Sequence, residues 1–303
     1  FVATGLALLY VRSGLKRYRY HAAVTGCKLF GSCSRRFIHN ADVFHVRSSV
    51  GQGGAIAYAK RKGIKVLVDH SMAHPGYIEQ TLRHYYDINA ESLHFGSSNP
   101  FFNLVLKDCL EADLLLVNSA FVRDTFLEMG YDGSKIRIAT QGVRRDFFGL
   151  KNREARVDNS LLRLLFTGSF CFHKGALEIL ESLKLLKDRG ITGITMDVVG
   201  TYSASTKLID KYRLADIPIV FHGHVPQDSL KVFLANADVY VFPSLAEGCA
   251  SSGLEAMAAG LCVVATRESG LPISDGDNGY IIPAMDAKAL ADKIEWLQQH
   301  PND

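Results

Sequence analysis

Three segments of this chain share one layout. Ala41-Asp42-Val43-Phe44-His45-Val46-Arg47-Ser48, Ala112-Asp113-Leu114-Leu115-Leu116-Val117-Asn118-Ser119 and Ala237-Asp238-Val239-Tyr240-Val241-Phe242-Pro243-Ser244 each place Ala-Asp before an apolar run and Ser seven residues after the Ala. Short, near-continuous apolar runs that alternate with helical patterns are the strands of a parallel sheet covered on both faces. The closing Ser suits the N-cap of the helix that follows. Ser119 shows this best, because Phe121 to Met129 has a helical pattern and Gly130 ends it. Two copies fall before residue 150 and one after, which implies two doubly wound α/β domains and not a strict repeat. A length of 303 residues fits two such domains. We expect a first domain over 1–148, a polar, aperiodic linker over 149–160, and a second domain over 161–303.

The third copy leads into the most informative stretch. Val239–Phe242 is a strand that Pro243 stops. A small-residue loop follows, Leu254 to Ala259 are good helix formers closed by Gly260, and Leu261 to Ala265 is the next buried strand. Such a unit aims the free N–H groups of a helix start beyond the strand ends, where an anion is stabilised. Glu247 and Glu255 flank the loop with seven residues between them. Each has two readings. Ser252-x-x-Glu255 spells a capping box, so Glu255 is either a helix cap or a ligand group. Glu247 is either a solvated loop carboxylate or part of a site.

The whole pattern, Glu247, seven residues, Glu255, Ala256-Met257-Ala258, Gly260 and an apolar strand, resembles the donor motif of retaining GT-B glycosyltransferases of the family-4, glycogen-synthase-like group. Ala250 stands where that family usually has Gly, and Cys262 where it usually has Pro. The resemblance implies two Rossmann-like domains facing each other across a cleft. It further implies transfer of a sugar from a nucleoside-diphosphate sugar to a glycan, lipid-linked or small-molecule acceptor, with retention of configuration. By the same resemblance Glu247 lies against the donor sugar and Glu255 holds the ribose hydroxyls. Gly248, Ser251, Ser252, Gly253 and Leu254 present amides to sugar and diphosphate. Gly168 and Lys174-Gly175 match the family's Gly-Arg-Leu…Lys-Gly segment, with Ser169 in place of the Arg, so half of the usual cationic clamp is missing. His173, Arg144 and Arg145 are the candidate replacements. Gly223-His224-Val225 matches the segment beside the nucleobase, and His70 the strand-end histidine that reaches the transferred sugar. The catalytic set is then Glu247, Lys174 and His70. No metal or other cofactor is expected.

Composition narrows the alternatives. Hydrophobic residues make up 48% and charged residues 21%, which is a globular balance, and a net charge of +3 gives no ground for a nucleic-acid partner. Six scattered cysteines without a C-x-x-C pair imply reduced thiols and a cytoplasmic setting. The apolar start, Phe1 to Val11, is too short to span a bilayer. It has no initiator Met, and the family's first strand and last helix have no counterpart, so we read the chain as a fragment at both ends. Arg12, Lys16, Arg17, Arg19 and Lys28 alternate with Leu15, Tyr18, Tyr20, Leu29 and Phe30. This stretch is either a solvated basic helix face or a surface that docks peripherally on anionic lipid headgroups. Gly51-Gln52-Gly53-Gly54 lacks the Gly at 56 that a dinucleotide fingerprint needs; its glycines let a helix over 54–62 start close to a strand or an acceptor. Residues 76–100 are a helix and loop placed to shape an acceptor site. Two other functions remain open on sequence: a nucleotide-sugar epimerase of the same fold, and a non-catalytic nucleotide-sugar-binding protein.

Overall fold

A computed structural model of the chain describes residues 19–86, 99–151, 161–202 and 218–300, which fall into two compact units divided between Thr140 and Gln141. The first contains a four-stranded parallel sheet in chain order: β1 (Val43–Arg47), β2 (Lys65–His70), β3 (Leu114–Val117) and β4 (Ile136–Ile138). Its helices are α1 (Arg19–Ser34), α2 (Ala55–Arg61), α3 (Pro75–Tyr86), α4 (Pro100–Glu111) and α5 (Ala120–Glu128). Val66, Val68, Leu115 and Val117 of the central strands are buried with Ile56, Ala59, Val105, Val122 and Phe126. Each of these side chains larger than alanine contributes about 1.5–3 kcal/mol by leaving water.

The shared Ala-Asp layout has a structural cause. Asp113 Oδ2 accepts from Val66 N at 2.8 Å while Asp113 N donates to Val66 O at 2.9 Å. Asp238 repeats this with Arg163, at 2.9 and 2.8 Å. In both places the aspartate closes the start of one strand against its neighbour. The serines diverge. Ser119 caps α5, accepting from Val122 N at 3.1 Å, but Ser48 Oγ pairs with His70 Nδ1 at 2.9 Å and Ser244 Oγ donates to the His173 carbonyl at 3.0 Å. Only one of the three expected caps forms.

The glycine-rich loop serves α1. A Cβ on Gly31 would lie 1.7 Å from Gln52 O, and one on Gly53 would lie 1.9 Å from Lys28 O. Backbone therefore meets backbone where α1 crosses the loop. Beneath it, the buried Asp108 carboxylate accepts from Ser49 N, Gly51 N and Gln52 Nε2 at 2.9, 2.8 and 2.8 Å. Those bonds offset its burial, which still pushes its pKa up.

The second unit holds six parallel strands in the order β10-β9-β8-β5-β6-β7: β5 (Leu162–Thr167), β6 (Ile194–Val199), β7 (Ile219–Gly223), β8 (Val239–Phe242), β9 (Cys262–Thr266) and β10 (Tyr280–Ile282). Between them run α6 (Ala176–Asp188), α7 (Gln227–Asn236), α8 (Ser251–Ala259) and, last, α9 (Ala287–Gln299). The chain steps outward from β5 to β7, returns to β8, and then steps the other way. The reversal lies between β5 and β8, and ligands of open α/β sheets bind at the carboxyl ends of such a pair.

The expected boundary at 148 moves. Phe147 is 0% exposed in the second unit's core, and Gly149 N and Lys151 N donate to Ala258 O and Ala259 O at 3.0 and 2.9 Å. Residues 141–151 thus pack as a strap on α8, because one aromatic anchor outweighs the polar character of its neighbours. Residues 152–160 of the expected linker lie outside the described residues.

Candidate functional site

The loops leaving β5 and β8 meet at the reversal. The β5 loop runs through Gly168 and Ser169 to a short 3-10 turn, Phe172–Lys174, and Gly175 then starts α6. Gly175 has φ +82°, and a Cβ there would lie 2.2 Å from Pro243 O. Only glycine lets the Lys174 turn lie this close to the end of β8. Two further bonds fix the junction, since Leu245 N and Ser244 Oγ both donate to the His173 carbonyl, at 2.9 and 3.0 Å. The far side of the β8 loop is tied to the next turn, with Glu247 N on Glu268 O at 2.9 Å and Ala250 N on Ser269 O at 3.1 Å.

Within this frame Lys174 Nζ and Glu247 Oε1 form an ion pair of 2.9 Å, and the ammonium sits 5.4 Å from the centroid of the Phe242 ring. The two residues that sequence singled out separately, 73 positions apart, are thus one unit at the strand reversal. Helix α8 begins beside it. Ala250 is its N-cap and offers no side-chain cap, so the first-turn amides of Ser251, Ser252 and Gly253 point outward without one.

The capping box does not form. Ser252 lies inside the helix, and its Oγ accepts from the Tyr240 hydroxyl at 2.8 Å. Tyr240 OH also lies 3.1 Å from Thr167 Oγ1, so one buried phenol joins β5, β8 and α8. Burial raises its pKa to about 12, and it stays a neutral donor. Glu255, released from capping, makes no hydrogen bond or ion pair among the described residues. Burial pushes its carboxyl above the usual range, while the Arg144 guanidinium pulls it back down. A half-buried carboxylate left with open acceptor sites is a group awaiting donors. Sequence reasoning did not find Tyr240 or Thr167; the signal was their hydroxyls inside otherwise apolar strands.

The other candidates are placed as follows. Gly168 N donates to Val199 O and Gly200 N to Gly223 O, at 2.8 and 2.7 Å, which ties the ends of β5, β6 and β7 into one rim. Ser169 Oγ pairs with Thr201 Oγ1 at 3.0 Å on that rim and brings no cation. His224 is exposed beyond β7 and Val225 packs on the core. Ser251 Oγ donates to Gln141 Oε1 at 2.7 Å, and Gly253 lies against Leu271. Gly248 and Leu254 lie in the β8 loop and in α8. Burial lowers the pKa of His173, while the Glu247 carboxylate raises it. Arg144 is engaged with Asp146 and Gln227 next to Glu255.

His70 belongs to the first unit. It closes β2 at 1% exposure, edge-on to Phe126 at 5.1 Å, with Nδ1 on Ser48 and Nε2 buried without a hydrogen-bond partner. Desolvation drops its pKa to about 3, so it is a neutral interior group. His74 behaves likewise, at about 4. Residues 87–98 of the expected acceptor region lie outside the described residues. Among the described residues no group of three or more His, Cys, Asp or Glu could hold a metal ion.

Residues 162–300 match the family described as "Glycosyl transferases group 1". The chain is 28% identical over 273 residues to the amylovoran biosynthesis glycosyltransferase AmsK of Erwinia amylovora, covering 87% of this chain and 63% of that protein. It is 25% identical to the sulfoquinovosyl transferase SQD2 of Arabidopsis thaliana, covering 84% of this chain and 49% of that one. It thus spans between 49% and 63% of the length of these relatives. Among solved structures, the sucrose-phosphate synthase of Thermosynechococcus elongatus superposes with a TM-score of 0.68 at 20% identity, covering 94% of this chain and 71% of that one. Anabaena HepE in complex with UDP gives 0.63 at 15% identity, covering 90% and 73%. The fold is GT-B, and the family match falls within the second unit.

Proposed function

We propose that this chain, within its whole protein, transfers a sugar from a nucleoside-diphosphate sugar to a hydroxyl acceptor on a glycan or lipid-linked carrier, with retention of configuration. The Lys174–Glu247 pair at the β5–β8 reversal, beside the uncapped start of α8, carries the reading. Such a reaction must stabilise a departing diphosphate while an oxocarbenium-like centre forms. An arriving diphosphate competes with Glu247 for the Lys174 ammonium, and the α8 amides meet the remaining phosphate charge. Glu247, freed of its partner, accepts from the hydroxyls of the donor sugar. Glu255 accepts from the ribose hydroxyls, and its lack of a partner among the described residues supports that role over capping. The departing phosphate takes the acceptor proton on the face it leaves, which preserves configuration without a carboxylate nucleophile. The chemistry asks for no metal.

An epimerase needs a proton-abstracting pair, and the buried, neutral His70 offers little toward one. The test is incubation with a panel of nucleotide sugars and acceptors. Release of nucleoside diphosphate together with a product of the donor's anomeric configuration supports the proposal. Inverted product, epimerised donor or no turnover by the whole protein overturns it.

A further inference from the structure

The charge of this chain is segregated. Seven of its 34 Lys and Arg, and none of its 31 Asp and Glu, fall in residues 1–41, so the remaining 262 residues carry 27 cations against 31 anions. The described part of that cationic stretch is α1 and the short turn after it, Arg35–Phe37. Elsewhere several arginines have counter-ions: Arg47 with Asp69, Arg83 with Glu79, Arg123 with Asp124, Arg189 with Asp292. Lys28, Arg35 and Arg36 have no ion pair among the described residues, nor have Lys60, Arg61 and Lys62 at the end of α2.

The two groups of cations adjoin. Ser32, Cys33, Arg35, Arg36 and Tyr58 line one surface cavity of 370 Å³, and Lys62 Nζ sits 6.0 Å over the Tyr58 ring. Arg35 is held by Ser32, with Nε on its carbonyl at 3.1 Å and NH2 on its Oγ at 3.0 Å. The backbone contacts of Gly31 and Gly53 fix α1 in place, so these like charges cannot spread apart at low cost. Among them stand three large apolar side chains in water: Leu29 at 49% exposure, Phe30 at 54% and Phe37 at 79%.

We propose that this face docks on an anionic lipid surface, with Lys28, Arg35, Arg36 and Lys62 on headgroup phosphates and Phe30, Phe37 and Leu29 entering the interface. Unpaired cations account for anion attraction, and the interleaved apolar side chains account for a membrane over a bare polyanion. A phosphate backbone gives Leu29 nothing to enter, whereas the boundary between headgroups and acyl chains does. No helix among the described residues is long and apolar enough to cross a membrane. The proposal does not depend on the transferase reading, since binding is measured without donor or acceptor.

The experiment is flotation of the full chain with phosphatidylglycerol–phosphatidylcholine vesicles and with pure phosphatidylcholine vesicles. Binding to the anionic vesicles alone is expected. Neutralising Lys28→Gln, Arg36→Gln and Lys62→Gln together should lower partitioning by roughly two orders of magnitude, because each basic residue at an anionic surface is worth about fivefold. Separately, Phe37→Ser should lower it roughly tenfold. All four positions are exposed, and unchanged melting temperatures verify the folds. Equal flotation on neutral vesicles, or full binding by the triple variant, overturns the proposal. So does unchanged vesicle binding in Phe37→Ser combined with displacement by duplex DNA, which would make the face a general polyanion site.

Discussion

Gly175 is the residue on which the geometry of the site turns, and Gly175→Ala is the most informative single change. Two costs add there. An L-residue at φ +82° is strained by roughly 1–2 kcal/mol. The new methyl also lies 2.2 Å from Pro243 O and 2.6 Å from Pro243 Cγ, so the Lys174 turn and the end of β8 must separate. Reaching ordinary contact takes about 1 Å. A shift of that size in a positioning element costs about a hundredfold in rate. Gly190→Ala is the matched control, because Gly190 has φ +75° with nothing within 4 Å of the added Cβ. Urea unfolding should show a loss of about 1–2 kcal/mol for the control and a larger loss for Gly175→Ala. Calorimetric titration with nucleoside diphosphate should show normal affinity for the control and a loss of at least about tenfold for Gly175→Ala. If the two variants match in both assays, the packing of the Lys174 turn on Pro243 does not shape the site.

Three further outcomes follow from the same structure. Lys174→Ala should cut transfer at least about tenfold, since a charge-assisted contact is worth roughly 1.5–3 kcal/mol; an unchanged rate moves the cationic role to Arg144 or Arg145. Glu255→Gln should weaken donor binding while leaving stability at neutral pH unchanged or slightly raised. Its folded pKa lies above its unfolded one, so the ionised form costs stability as pH rises past the unfolded value, and Gln removes that cost; unchanged donor affinity refutes the ribose role. For His70 the sign is opposite. With a folded pKa of about 3, its burial is tolerated above pH 6.5 and costs stability as pH falls from there, by up to about 1.4 kcal/mol per unit. Urea midpoints between pH 6.5 and 4.5 should therefore fall less steeply in His70→Gln than in the parent, and equal slopes refute the burial.

The second domain was the more legible half because its strands are apolar almost throughout. Val239–Phe242 ends at Pro243, and the helices over 227–236 and 287–299 follow from amphipathic spacing and turn residues alone. What sequence could not reach were contacts made at a distance. Ser252-x-x-Glu255 has the spelling of a capping box, yet a tyrosine 12 residues away on the adjacent strand takes the serine. The glycines at 51–54 read as letting a helix start close to a strand or an acceptor, and their cause is a helix that crosses them from upstream. Phe147 sits in a polar stretch that reads as a linker, and only the core of the second unit shows why the boundary precedes it. Lys174 and Glu247 were each recognisable, but their pairing required the β5–β8 neighbourhood, a property of strand order and not of spacing.

The most direct measurement is a crystal structure of the chain with a nucleoside diphosphate. Density for the diphosphate is predicted against Lys174 Nζ and the first amides of α8, with the ribose hydroxyls on Glu255 and the Lys174–Glu247 contact opened. A nucleotide bound elsewhere, or one bound here that leaves the Lys174–Glu247 pair closed and Glu255 without a partner, would contradict the account.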